Sequence, residues 1–479
     1  MMFNSIHFLI FFPIIVSLYF GIKHRYRWIL LLLGSYYFYM SWKAEYVILI
    51  MISTLVDYLA GMRIYNSKSL FRKKFFLGLS LFANLGLLFC FKYFNFFSES
   101  FRTLLTKFSI PMNPITLKLL LPVGISFYTF QTLSYTIDVY REKIKPEKHL
   151  GIFAVYVSFF PQLVAGPIER AKNLLPQFYD KHHFEYQRVA NGIKLMLWGF
   201  FKKVVIADRL TIVVNTVYNN PADHSGLSLV IATVFFAFQI YCDFSGYSDI
   251  AIGSAQVLGF SLMDNFKRPY SAKSIVDFWR RWHISLSSWF KDYFYIGFLG
   301  GNRVSIPRWY VNLFLVFLVS GLWHGANWTF VIWGALHGVY YVIEKMTNKF
   351  RKSFLHLINL DKFPRFHGLI QTGITFSLVC FAWIFFRANS LSDALYIASH
   401  LFYPVFNLSN IGVGMMGLLL CFALIGFLEF VHLLQKHIRM REFLTTKPIW
   451  IRWPIYSALV LLILLFGVFH GTQFIYFQF

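Results

Sequence analysis

Along the chain, long apolar runs alternate with short polar loops, and the runs measure about 15 to 25 residues against the ~20 that a helix needs to cross a bilayer. They fall near 3–20, 28–42, 46–62, 75–97, 115–140, 151–166, 189–206, 227–258, 309–323, 328–344, 369–388, 412–433 and 453–470. This pattern predicts an all-α polytopic membrane protein. The loops at 23–27, 63–74, 141–149, 345–367 and 435–452 are rich in Lys and Arg, 41–45 and 98–114 are poorer, and 389–411 has neither. The positive-inside bias therefore places both termini outside. Equal sides require an even number of crossings and the runs are odd in number, so at least one is re-entrant or interfacial. Run 151–166, broken by Pro161, and the pair around His324 are the candidates. The first run has no basic stretch before it and no small-x-small site after it, and it reads as a retained span.

Composition narrows the class. With 57% hydrophobic residues, 21% aromatic and 14% charged, and a mean hydropathy of +0.55, a soluble globular chain is excluded. A net charge of +24 would suggest nucleic acid in a soluble protein. Here the cations sit in loops between apolar runs, so membrane orientation accounts for them and no nucleic-acid partner is expected. Cys90, Cys242, Cys380 and Cys421 stand singly without a CxxC pair, which argues against a disulfide framework or zinc site. No period of 20–50 residues repeats and the halves are dissimilar, unlike many transporters. Polar residues at membrane depth gather instead between Tyr241 and His337.

Ser320 to Gly338 (SGLWHGANWTFVIWGALHG) places His324 between Gly321 and Gly325 at a break in this apolar region. An imidazole there must meet a protein partner or a polar cavity, because lipid offers no hydrogen bond. It is either a core histidine bonded to a carbonyl or a functional one. Gly321 and Gly325, then Gly334 and Gly338, are four apart, leaving side-chain-free strips where another backbone can approach.

Other motifs surround it. Leu121 to Gln131 (LPVGISFYTFQ) reads as a proline-kinked span whose hydroxyls repair freed carbonyls. Phe159 to Arg170 holds Pro161 and Pro167 and cannot be one straight helix; Glu169 and Arg170 are expected to form ion pairs at the cytoplasmic mouth. Tyr241 to Asp249 (YCDFSGYSD) carries Asp243 and Asp249 with Ser245 and Ser248. These carboxylates are either a general acid and base or counter-ions for Arg268, Arg280 and Arg281. Asn265-Phe-Lys-Arg-Pro-Tyr270 leads into Ser274 to Ile296. At ~100° per residue, Phe278, Trp282, Leu286, Trp289 and Tyr293 share one face of that segment, with Arg280, His283, Ser287 and Lys291 opposite. Such a helix lies in the membrane interface or lines a cavity mouth.

A neutral imidazole can take the proton of an attacking hydroxyl, and its ordinary pKa near 6.5 suits that task. Cations at a cytoplasmic mouth suit the phosphates of an acyl thioester donor, acetyl-coenzyme A or a phosphopantetheine carrier. No phosphate-binding glycine loop or GxSxG elbow is present. Acyl transfer from a thioester needs no metal, and no bound cofactor is expected. The rival reading is an exporter or flippase whose polar residues line a permeation path.

Asp277-Phe-Trp-Arg-Arg-Trp-His283, followed by Gly321-Leu-Trp-His-Gly-Ala-Asn-Trp328, resembles the membrane-bound O-acyltransferase superfamily, and more narrowly its bacterial alginate O-acetylase branch. Leu121 to Phe130, Pro161 to Ile168, Asp243 to Asp249 and the closing Phe474-Ile-Tyr-Phe-Gln-Phe479 fit that branch too. The resemblance implies about eleven transmembrane helices plus re-entrant segments around a central tunnel. It implies a single domain, with N-terminal helices in 1–166, a catalytic core in 167–345 and C-terminal helices with an aromatic tail in 346–479. His324 matches the catalytic histidine and His283 the second signature position. Arg280, Lys291, Asp243, Asp249, Ser245, Trp323 and Asn327 are then candidates to line the donor path. The implied reaction is acyl transfer, with acetyl the expected group, to an extracytoplasmic polysaccharide with a periplasmic SGNH-type partner, in the bacterial inner membrane. Peptidoglycan and D-alanyl transfer are sister activities. Tyr476, just past the last run, is the candidate to relay the acyl group outward.

Overall fold

The computed structural model describes residues 1–110, 113–164, 166–408, 410–438, 440–469 and 474–475. Among them all regular structure is helical. Among the described residues, seven helical stretches are long and apolar enough to cross a membrane: Ala44–Asn66, Leu70–Lys107, Leu227–Leu258, Ile306–His324, Pro364–Arg387, Met415–Leu434 and Ile449–Phe466. Ile6–Gly21 is a shorter apolar helix. The protein is thus an all-α, multi-pass membrane protein. The chain divides into two compact units, Met1–Met196 with Ile250–Met263, and Leu197–Asp249 with Asp264–Phe479.

The first unit begins with α1 (Ile6–Gly21), α2 (Arg27–Met40), α3 (Val47–Asn66), α4 (Leu70–Leu88), α5 (Phe94–Lys107) and α6 (Ile125–Tyr140). Ser5 caps α1 by accepting the Phe8 N–H at 3.2 Å. The kinked span expected at 115–140 is instead a shorter helix, because residues 113–122 form no helix and α6 starts after Gly124. Gly124 has a left-handed φ of 76°, and a Cβ there would lie 2.7 Å from the Leu163 carbonyl oxygen. Both conditions demand glycine. Pro122 and Gly124 therefore start the helix; they do not bend it.

The run at 151–166 is broken as expected, into α7 (Leu150–Ser158) and α8 (Phe160–Leu163). It is followed by α9 (Ala171–Leu174) and α10 (Tyr186–Phe200). Gln131 of α6 donates its amide to the Tyr156 carbonyl at 2.6 Å. Glu169 is buried and accepts the Met263 backbone N–H. Within α3 lies a fully buried carboxylate, Asp57. It accepts from the Ser80 hydroxyl and from Asn84 Nδ2, at 2.9 Å to its Oδ2, both on α4, and from the Thr136 hydroxyl of α6 at 3.1 Å. Ser53 donates to Asn84 Oδ1 at 2.7 Å. Neutral donors thus tie three helices around one acid.

The second unit takes the rest. A π-helical turn, Phe201–Ala207, leads into α11 (Asp208–Asn219) and then α12 (Leu227–Leu258). Short α13 (Ile275–Trp279) and α14 (Ile284–Trp289) follow, then the hairpin of α15 (Ile306–His324) and α16 (Trp328–Met346). The chain continues through α17 (Asn348–Leu357), α18 (Pro364–Arg387), α19 (Leu391–His400), α20 (Met415–Leu434), α21 (Met440–Thr445) and α22 (Ile449–Phe466). After α22, the Val468 N–H bonds to the Val204 carbonyl at 2.9 Å.

Candidate functional site

The α15–α16 hairpin closes because its glycines let two backbones touch. A Cβ on Gly321 would come within 3.0 Å of the Gly334 Cα, and one on Gly334 within 3.0 Å of the Gly321 Cα. Gly338 lies against Phe314, so the Gly334–Gly338 strip is used, whereas Gly325 is the extended C-cap beyond α15 and faces the Phe330 ring, so it forms no helical strip with Gly321. Asn327 accepts the Thr329 N–H at 3.0 Å and caps α16. That bond gives it a structural task at the hairpin's tip. His324, the last residue of α15, is 2% exposed. Its ring meets Trp323 and Trp333, each at 4.9 Å between centroids, and Phe386 at 5.5 Å.

His283 reaches the same neighbourhood by a different device. Segment 274–296 is broken where one amphipathic helix was expected, because His283 adopts left-handed φ and ψ of 43° and 55° between α13 and α14. A non-glycine residue there costs about 1–2 kcal/mol. The break overturns the predicted polar face. Arg280 and Lys291 stay exposed, while His283 is 0% exposed. The aromatic face holds, with Phe278, Trp282, Leu286, Trp289 and Tyr293 all buried.

The His283 ring meets Phe244 at 4.6 Å and Trp323 at 6.2 Å. Trp323 therefore touches both histidines. Asn265 fixes the His283 proton. Asn265 Oδ1 accepts the Ser285 N–H at 3.3 Å and its hydroxyl at 2.9 Å, so that atom is the amide oxygen. The same oxygen lies 3.0 Å from His283 Nδ1, which must therefore donate. Nε2 is left with the lone pair. His283 lies between spans, and burial pushes its imidazole well below the usual range, toward the neutral form.

Asp243, Asp249 and Ser245 belong to a separate buried cluster, and their partners are lysines instead of the arginines that follow. Lys203 lies 2.7 Å from Asp243 and 2.8 Å from Asp208; Lys202 lies 2.8 Å from Asp249 and 2.9 Å from the Ser245 hydroxyl. Arg281 pairs with Asp277 at 2.9 Å. Two successive lysines are both enclosed because every residue of the π-helical turn Phe201–Ala207 is buried. Gly246 admits the neighbouring backbone, its Cβ position lying 2.8 Å from the Gly199 carbonyl oxygen.

Asp243 Oδ2 also accepts the Ile475 N–H at 2.8 Å. Phe474, 0% exposed, packs on Tyr247 at 4.3 Å and Phe244 at 5.7 Å. Since Phe244 also packs on His283, the tail joins the histidine cluster. Tyr476 lies outside the described residues.

Sequence reading passed over several groups here. Besides Lys202, Lys203 and Asn265, the Tyr241 hydroxyl bonds to His432 Nε2 at 3.1 Å, and His432 Nδ1 donates to Glu429 at 3.0 Å. His337 Nδ1 lies 3.3 Å from the Trp279 indole nitrogen. Their signal was weak: His337 and His432 are polar residues inside apolar runs, and Trp279, Tyr241 and the Asp243–Asp249 cluster that the histidines and lysines meet lie far along the chain.

The family model described as MBOAT, membrane-bound O-acyltransferase family, matches residues 40–391. The "Probable alginate O-acetylase" of Pseudomonas aeruginosa is 42% identical over 397 residues, which cover 82% of this chain and 73% of that protein. The peptidoglycan O-acetyltransferase of Helicobacter pylori is 35% identical, covering 87% of this chain and 80% of its own. The teichoic acid D-alanyltransferase of Bacillus subtilis is 27% identical over 56% of this chain and 69% of its own.

Proposed function

The chain belongs to the membrane-bound O-acyltransferase family, and from that premise we propose that it moves an acetyl group from a cytoplasmic thioester to hydroxyls of an extracytoplasmic polysaccharide. Membership makes it an O-acyltransferase, and the exporter reading gives way. The observation that carries the proposal is the pair of buried histidines packed on one indole, Trp323.

In the reaction proposed, the acceptor oxygen attacks the thioester carbon while His324 takes the hydroxyl proton. The C–S bond then breaks and the proton passes to the departing thiolate, giving ester and thiol. The imidazolium formed in between sits at the C-terminal end of α15, where the helix dipole favours a cation. His283, with its proton on the Asn265 side, offers Nε2 to orient a hydroxyl. Donor and compartment follow from the family resemblance: acetyl-coenzyme A or a phosphopantetheine carrier at the inner membrane's cytoplasmic face, with an SGNH-type partner outside.

The identities of 42% and 35% to two O-acetyl-transferring relatives, against 27% to the D-alanyl one, favour acetyl over alanyl. Alginate-like polymers rank first and peptidoglycan second as acceptor. On the relay route the first attacking hydroxyl is the Tyr476 phenol, which holds the acyl group as a phenolic ester until a hydroxyl of the partner attacks it, takes the acyl group and returns its proton to the departing phenolate.

Membranes carrying the wild type or His324→Ala, matched for expression and given radiolabelled acetyl thioester, test this. Label should reach polymer or partner in wild type only, with a transient fraction on the chain at Tyr476. Equal labelling by the variant would return His324 to a structural role. Labelled polymer with no label ever trapped on the chain would remove the relay.

A further inference from the structure

His337 on α16 is 0% exposed and sits in a box of aromatic rings. It meets Trp279 and Trp333, each at 5.0 Å, and lies parallel to Phe278 at 6.2 Å. Its protonation follows from one neighbour. An indole nitrogen can only donate, so the 3.3 Å contact from Trp279 Nε1 makes His337 Nδ1 an acceptor. The proton of the neutral ring must then sit on Nε2. Among the described residues no acceptor meets that Nε2–H, nor the indole N–H of Trp333. A contact of the N–H with a ring face is a second-order substitute, and a buried donor left without an acceptor is costly.

A hydrogen bond ties the arrangement together. Glu344, also on α16, accepts the Val276 N–H of α13 at 3.2 Å, tying together the two elements that carry His337 and Trp279. The box is also next to the chemistry, because Trp333 packs edge-on against both His324 and His337, at 4.9 and 5.0 Å.

We propose that His337, as a locked Nε2–H donor, holds the carbonyl oxygen of the acyl donor beside His324 and stabilises the negative charge that oxygen gains during attack. This rests on the acyl-thioester reading given above. When the acceptor oxygen bonds to the carbonyl carbon, the π electrons move onto the carbonyl oxygen, and the N–H of His337 meets them. When the C–S bond breaks they return, and His337 keeps its proton throughout. Its role is that of a preorganised donor, distinct from the base.

Kinetics with radiolabelled acetyl-coenzyme A in membranes carrying the full chain test it. His337→Phe keeps the ring packing but removes the donor. It should lower kcat by about 100-fold with KM changed less than about 3-fold, as for loss of one donor to a developing oxyanion. His337→Gln can accept from Trp279 through its carbonyl and donate through its amide, and should recover about 10-fold of that loss. Wild-type kcat in His337→Phe, or a loss that His337→Gln does not relieve at matched expression, overturns the proposal. His324→Ala run alongside separates the two levels. If it is inactive while His337→Phe is unimpaired, only the donor assignment fails; if it stays active, the base assignment of His324 fails; and if the wild type itself transfers no label from the thioester, the underlying reading fails.

Discussion

Asp57 and Asp243 are both buried acids on long apolar helices, and the two units satisfy them in opposite ways. In the first unit Asp57 is met by neutral hydroxyls and one amide, all on neighbouring helices, and the cluster closes on itself. In the second, Asp243 is met by Lys203, which also serves Asp208, with Lys202 and Asp249 beside them and a backbone N–H from residue 475. A carboxylate held by neutral donors acts as a clamp between helices. One held by a shared cation leaves every member dependent on the others, because removing any charge strands its partner out of water. An intramembrane acid alone is thus a poor guide to function; the kind of partner it has, and what else that partner holds, is the better one.

The contrast is broken most sharply at its most dependent member. Lys203→Met leaves Asp243 and Asp208 buried without their shared cation. It should cost about 3–5 kcal/mol, seen as a large fall in the unfolding temperature of detergent-solubilised protein and loss from the membrane fraction. A stability near wild type would mean that those acids find other partners. A smaller effect is expected from Asp57→Asn, which keeps the shape but turns one acceptor oxygen into a donor facing donors. About 1–3 kcal/mol should be lost, with acyl-transfer rates per folded molecule unchanged; a specific loss of rate would make the first unit's acid functional after all. Ser80→Ala, which removes one of several donors to Asp57, should cost only about 1 kcal/mol by the same measurement. A loss as large as that of Lys203→Met would erase the distinction between the units.

Much of this was legible in the sequence, and the reason differs by residue. The glycine strip at Gly334 and Gly338 was readable because four-residue spacing on a helix is a local property, and backbone approach followed from it; Gly325 did not join Gly321 in a strip, because the helix ends at His324. His324 stood out because an imidazole between glycines in an apolar run has no bland surface location. The five apolar positions from Phe278 to Tyr293 are buried as expected, although no single helix carries them. Helical spacing failed at His283, because a single left-handed residue resets the periodicity and no residue type announces it. Lys202 and Lys203 fall inside the apolar run at 189–206, and nothing local shows that the whole of Phe201–Ala207 is buried, which is what encloses both lysines. Asp57 and His337 depend on partners 23 to 79 residues away, a relation that no local pattern encodes.

The bond from Ile475 to Asp243 joins positions separated by 232 residues, and that separation is also a delay. At a synthesis rate of about 5–20 residues per second, Asp243 leaves the ribosome roughly 10–50 s before the backbone that completes its shell. During that interval the second unit has its lysines but lacks its closing strap. Until then Phe244 and Tyr247 lack the Phe474 ring that packs on them, and a stop codon placed ahead of residue 474 would make that unfinished state permanent.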